Sequence, residues 1–153
     1  MKKNQQALKN SKKKFQSLFY ENTSIMILVD PQNGNIVDAN EAACKFYGYP
    51  KSKIITLSLK EISLSSPEEI ETEMQEAMHD RRKHFFYQHK LSNNEIRDVE
   101  LYSGKVEMKE GVFIYSIVHD ITARKEAEEA LKKYAGWFFY SASKADMIQC
   151  RYI

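Results

Sequence analysis

The sequence is poor in the residues that build most catalytic and metal sites. Its two cysteines, Cys44 and Cys150, match neither a zinc spacing nor a disulfide framework. Five glycines form no glycine-rich phosphate loop, and no nucleophile is paired with a base in a recognisable pattern. No run approaches the ~18 apolar residues of a membrane span. Phe15 to Val29 is broken by Glu21-Asn22-Thr23-Ser24, which argues against a secretory apolar core, so a cytoplasmic location is expected. A net charge of +2 says little about partners, and 153 residues leave no room for a kinase catalytic domain.

What is present is an ordinary soluble composition, 42% hydrophobic and 29% charged, which predicts one domain with extensions. Charge is segregated: residues 1–14 hold six lysines and no acid, and Glu68 to Asp80 hold six acids and no Lys or Arg. Both stretches read as solvated faces, with no nucleic-acid partner expected.

The chain is organised around Val112 to Lys133. Val112 to Val118 is rich in β-branched and aromatic residues and apolar on both faces, with Val112, Ile114 and Val118 on one and Phe113, Tyr115 and Ile117 on the other. Such a strand lies inside a sheet that is covered on each side. After Asp120 the period changes, and Ala123, Ala127, Ala130 and Tyr134 recur at helical spacing between charged residues. Asp120-Ile121-Thr122 therefore joins a rigid strand to a charged helix, with Thr122 placed to cap it.

Upstream, Gln5 to Tyr20 reads as an amphipathic helix, and Ile25–Val29 and Asn35–Asp38 as strands around a Gln32-Asn33-Gly34 turn. Asn40 caps a short helix that stops at Gly48, and Ser66-Pro67-Glu68-Glu69 opens another with a capping box and a stripe of Ile70, Met74, Ala77 and Met78. His84–Leu91 and Ile96–Val106 are strands joined by Ser92-Asn93-Asn94-Glu95, and Gly111 opens the last strand. The stretch Tyr49 to Ile62 carries a strand-like pattern in Ile54, Ile55, Leu57 and Leu59.

Two motifs carry a family resemblance. H-D-I-T-A-R-K-E-A-E-E-A-L-K-K resembles the end of a PAS sensor domain, and D-P-Q-N-G-N-I-V-D-A-N-E-A-A-C-K-F-Y-G-Y its opening, with Asp30, Gly34, Ile36, Asn40 and Gly48 at the matching positions. The resemblance spans Phe15 to Tyr134. It implies an α+β fold: a five-stranded antiparallel sheet in the order 2-1-5-4-3, helices on one face, flanked by N- and C-terminal amphipathic helices. It also places short irregular helices between Tyr49 and Ile62. The expected divisions are an N-terminal helix over 1–22, a sensor domain over 23–122, a connector helix over 123–134 and a tail over 135–153. By resemblance, Asp120 pairs with Arg124 and sets the exit of the connector. The implied function is that of a non-catalytic sensory and dimerisation module feeding a histidine kinase or another effector of a two-component system. The alternative is a receptor for haem, flavin or an apolar metabolite.

The candidate site residues follow. Ile27, Phe46, Tyr47, Ile54, Met74, Met78, Val99, Leu101 and Ile114 line either a ligand pocket or simply a core, and core is ranked first. No cofactor is expected, although a small apolar ligand remains open. His79 stands near the end of the helix that donates the iron ligand in haem-binding relatives, but it reads as a surface residue. His84 and His89 lie an odd number apart on one strand and so cannot share a metal. Light-sensing relatives place their cysteine in an Asn-Cys-Arg-Phe-Leu-Gln run, whereas Cys44 sits on a different helix and reads as a small buried thiol. A homodimer is expected through Leu8, Phe15, Leu18 and Phe19 of the N-terminal helix and the sheet face of Phe113, Tyr115 and Ile117. Lys132 to Phe138 echoes Lys13 to Phe19, either as the start of a second copy of the domain or as a chance aromatic cluster.

Overall fold

The computed structural model describes residues 2–81 and 83–150, with the backbone alone for Lys2 and for residues 141–150. The chain divides into two units, one running to Asp120 and the other from Ile121.

The first unit begins with α1 (Lys2–Tyr20), followed by β1 (Ile25–Val29) and β2 (Ile36–Ala39). Gly34 closes their hairpin at φ +73°, a conformation that costs a glycine little. Four helices come next: α2 (Glu41–Tyr47), α3 (Lys51–Ile54), α4 (Leu59–Ile62) and α5 (Pro67–Met78). The caps expected for α2 and α5 form. Asn40 accepts from the Ala43 amide, and Gly48 turns left-handed at φ +78°. Ser66 and Glu69 make their reciprocal pair of bonds at the start of α5. The strand-like pattern from Ile54 to Leu59 yields to two single-turn helices, because Ile54, Leu57 and Leu59 are all buried in a bend that a straight strand could not follow.

Strands β3 (His84–Lys90), β4 (Ile96–Met108) and β5 (Gly111–Asp120) complete the unit. Asn94 takes the left-handed conformation at φ +68° in the β3–β4 turn, as an asparagine can. The sheet runs β2-β1-β5-β4-β3 with every pair antiparallel, so β5, last in the chain, lies in the centre. Its alternation is as expected: Ile114, Ser116 and Val118 are buried on the helix side, and Phe113, Tyr115 and Ile117 are half-buried on the other.

The helices bury one face of the sheet. Ile27, Val29, Ile36 and Ile114 from the strands form one apolar cluster with Tyr47, Ile54, Ile62, Ile70 and Met74 from the helices. Each fully buried aliphatic side chain there contributes about 2 kcal/mol. A second cluster of Phe85, Val99, Leu101 and Val118 extends it across the sheet. On the opposite face, Tyr115 lies across the backbone of β4. A Cβ on Gly104 would come within 2.7 Å of the Tyr115 hydroxyl, so the ring occupies space that only glycine leaves.

The second unit is α6 (Thr122–Cys150). It is longer than the connector read from sequence, which ended at Tyr134. Gly136 costs a helix interior about 1 kcal/mol relative to alanine, and the alanines, lysines and glutamates on its N-terminal side are strong helix formers. The tail expected over 135–153 lies partly outside the described residues. Among those described, no helix is long and apolar enough to cross a membrane.

Candidate functional site

Two places concentrate polar chemistry in the first unit: the end of β5, and a small cavity in the core.

At the end of β5, Val99 of β4 pairs with Asp120. Arg97, two residues earlier on β4, extends its guanidinium to both sides of this corner. Its Nη1 lies 3.4 Å from Asp120 Oδ2, and its Nη2 lies 2.5 Å from Glu95 Oε1. The Arg97 Nε is buried with no hydrogen-bond partner in the protein, so the guanidinium is fixed by its ends. One residue, Ile121, separates Asp120 from the first residue of α6. Of the expected junction residues, Thr122 stands at the start of α6, and Arg124 lies within 4.0 Å of Glu128 one turn on.

The core cavity measures ≈10 Å³, room for about one water molecule. It is lined by Ile27, Leu59, Ile70 and Leu101 and by four polar residues: Ser63, Glu73, His89 and Ser116. His89 is 2% exposed and Glu73 is 5% exposed. Tyr47 Oη and His89 Nδ1 share a 2.8 Å hydrogen bond, and Ser103 and Ser116 share one of 2.8 Å between their hydroxyls. Burial holds the His89 imidazole neutral, pushing its pKa down from 6.5 to about 4. Burial first, and then the Glu73 charge, push the Tyr47 hydroxyl far above its usual range. The network is therefore a set of neutral donors and acceptors around a carboxyl group, in a medium where such bonds are strong.

The residues read as pocket lining divide differently. Ile27, Tyr47, Ile54, Met74 and Ile114 belong to one core cluster, Val99 and Leu101 to the other, and Phe46 and Met78 are partly buried against them. Only Ile27 and Leu101 of that set line the cavity. Sequence reading missed Glu73 and His89. Glu73 stands three residues after Ile70 and four before Ala77, within the buried stripe of α5, and His89 alternates with Phe85 and Tyr87. Both signals were in the spacing.

The other expectations are placed as follows. His84 faces away from His89, stacking on Tyr102 with ring centroids 4.5 Å apart and lying 2.7 Å from Glu100 Oε1. His79 is exposed at the end of α5. Cys44 is half-buried, not fully buried, and burial pushes its thiol up, away from the reactive thiolate. Among the described residues no group of three or more His, Cys, Asp or Glu is arranged to hold a metal ion. Leu8 and Leu18 are two-thirds exposed, as the expected interface requires. Phe19 is not available to it. This side chain is 3% exposed in the single chain, its ring stacked on Phe15 at 5.6 Å and edge-on to Tyr20 at 5.1 Å.

A sheet in this order with its helices on one face and a polar pocket between defines a sensor-domain fold. The chain belongs to the PAS domain family, whose model matches residues 22–123. It is 36% identical over 120 residues to the diguanylate cyclase DgcM of Escherichia coli K12, an alignment covering 76% of this chain and 29% of that protein. The chain thus spans less than a third of the curated relatives it matches. Among solved structures it is similar to the PAS domain of an HTR-like protein from Haloarcula marismortui, with a TM-score of 0.66 at 20% identity, covering 79% of this chain and 100% of the other. It is also similar to a domain of a sensory box sensor histidine kinase/response regulator from Geobacter sulfurreducens, with a TM-score of 0.61 at 15% identity over 72% of this chain and 95% of the other.

Proposed function

We infer that this chain is a non-catalytic sensory and dimerisation module that passes a change in its core through Asp120-Ile121-Thr122 into α6 and on to a signalling enzyme. The observation that supports this most is covalent: β5, hydrogen-bonded on both sides, leads into a 29-residue helix after a single intervening residue. Two neighbours in the sheet hold such a strand stiffly, and a helix is the stiffest continuation a chain offers. The effector is of the histidine-kinase type read from the sequence, or a diguanylate cyclase, as in the relative at 36% identity. The homodimer uses the exposed side of α1, with Leu8, Phe15 and Leu18, and the sheet face of Phe113, Tyr115 and Ile117.

In this reading Asp120 and Arg124 fix the direction in which α6 leaves the sheet. Hydrogen exchange tests it. Asp120→Ala is expected to raise amide exchange across Ala123 to Lys133 while leaving the sheet protected, and the double variant Asp120→Arg with Arg124→Asp should recover part of the protection. Equal exchange in wild type and Asp120→Ala would make the junction a passive linker.

The buried polar residues favour a second reading, a receptor for a small molecule. An apolar core would be simpler to fill with leucine than with Glu73 and His89, and buried polar groups retained in a core are satisfied by protein, water or ligand. Native mass spectrometry of the purified chain would show a bound ligand as a discrete mass increment.

A further inference from the structure

A second depression on the first unit opens on the other side of Ile70, which lines both it and the core cavity. It is an open groove of ≈1020 Å³ formed by the β1–β2 turn, one side of α5 and the β4–β5 turn. Asp30, Glu71 and Glu110 supply three carboxylates, one from each of these elements, against a single lysine, Lys60, and the exposed His79. Met78 and Val112 supply apolar surface between them, and Met74, also in the lining, is buried. A partly buried methionine and an exposed valine between carboxylates make a small apolar floor with an acidic rim, a surface suited to a basic amphipathic helix.

The same chain carries such a helix. In α1 every residue from Lys3 to Lys14 is exposed, including Leu8 and five of the lysines, and no acidic residue lies among them. Lys9 and Lys13 stand four apart and so share one side of α1. The far end of α1 is pinned to its own domain, where the Tyr20 hydroxyl donates to Asp38 and the Lys51 ammonium lies 4.4 Å from the Tyr20 ring. α1 is an unbroken helix of 19 residues, so its exposed half cannot fold back without losing helix, but it can reach another molecule.

We propose that the groove of Asp30, Glu71 and Glu110 is the seat for the lysine-rich half of α1 from a second copy of this chain, exchanged reciprocally within a two-fold dimer. This rests on the homodimer reading above and specifies where the basic part of α1 goes. Three carboxylates facing a helix with lysines and no acid give the contact its orientation, while Leu8 meets Met78 and Val112. A rim-exposed contact of this kind is screened by salt.

Light scattering on the intact chain and on two charge-reversed forms tests the seat. One form carries Glu71→Lys and Glu110→Lys; the other carries Lys9→Glu and Lys13→Glu. All four positions are exposed, so the thermal melts should match wild type and confirm that the variants fold. The expected wild-type result is a dimer at about 50 mM salt whose dissociation constant rises roughly tenfold or more at about 500 mM. Each variant alone should be a monomer at low salt, and an equimolar mixture should recover the dimer, since both helix–groove pairs are then complementary. A groove variant that keeps the wild-type dimer mass would overturn the seat and leave the homodimer to other surfaces. A wild-type chain that is monomeric at every salt concentration would overturn both. Two monomeric variants that fail to recover a dimer when mixed would show that the helix and the groove are not each other's partners, which also overturns the seat.

Discussion

Arg97 of β4 and Asp120 of β5 face each other at the corner where the sheet gives way to α6, with Nη1 and Oδ2 3.4 Å apart. Because Glu95 holds the other end of the same guanidinium, the arginine ties the start of β4 to the end of β5. The contact is partly exposed, so its contribution to stability is small, about 1 kcal/mol or less. Arg97→Ala is therefore expected to lower the melting temperature by only a few degrees while loosening the last pairs of the ladder. Amide exchange at Val118 to Asp120 reads this directly. Unchanged protection there would show that the backbone pairing alone holds the corner.

His89 predicts how stability depends on pH. Its folded pKa of about 4 lies below the 6.5 of the unfolded chain, so as pH falls the unfolded state takes up the proton first. The stability of a neutral, buried His89 is complete above about pH 6.5 and is lost as pH falls towards 4, by about 3 kcal/mol. Urea melts across that window should show the loss, and His89→Gln should flatten it. A wild-type profile as flat as that of the variant would mean that His89 takes up its proton in the fold as readily as in the unfolded chain.

Tyr47→Phe removes the hydroxyl from the 2.8 Å bond to His89 and leaves a buried ring nitrogen without that partner. The expected cost is about 1–3 kcal/mol at neutral pH, more than a surface tyrosine would show. Chemical denaturation of the variant measures it, and a cost near zero would mean that water replaces the hydroxyl in the adjoining cavity.

The latch of Tyr20, Asp38 and Lys51 should control how firmly α1 is held. Burial and the Asp38 carboxylate push the Tyr20 hydroxyl up to about 12, so the latch persists below pH 10 and is lost as pH rises through 12. At neutral pH, Tyr20→Phe breaks the same bond. Trypsin cleavage after Lys13 and Lys14 should then quicken relative to wild type, with the rest of the domain still resistant. An unchanged rate would leave the packing of Phe19 and the Lys51–ring contact as the anchors.

The exposed side of α1 makes its own prediction. Leu18→Asp places a charge in the expected interface without disturbing the core, since Leu18 is largely exposed. The light-scattering mass should fall from that of a dimer to that of a monomer, and an unchanged dimer would move the interface away from this part of α1.

Much of the fold was legible because its local signals agree. The caps of α2 and α5, the turn at Gly34 and the alternation in β5 each depend on a few neighbouring residues, and each forms. The Tyr49 to Ile62 stretch could not be settled by periodicity, because its apolar residues fit a strand until a bend brings Ile54, Leu57 and Leu59 inward together. The polar core was hidden for a different reason. Glu73 and His89 occupy positions that spacing assigns to the interior, and a reading by residue type places charged and titratable residues outside. Arg97 and Asp120 meet only through the pairing of β4 with β5, a register that neither segment announces alone.

Gly104 has a wider effect than its position on β4 suggests. The aromatic surface on that side of the sheet is shaped by an atom that is absent, because Tyr115 rests where a Cβ would stand. One added methyl group would lift the phenol ring off the strand and turn a flat wall into a ridge. Any partner that fits this wall is therefore fitting a hollow, and the smallest side chain in the sheet sets the shape that a much larger one presents.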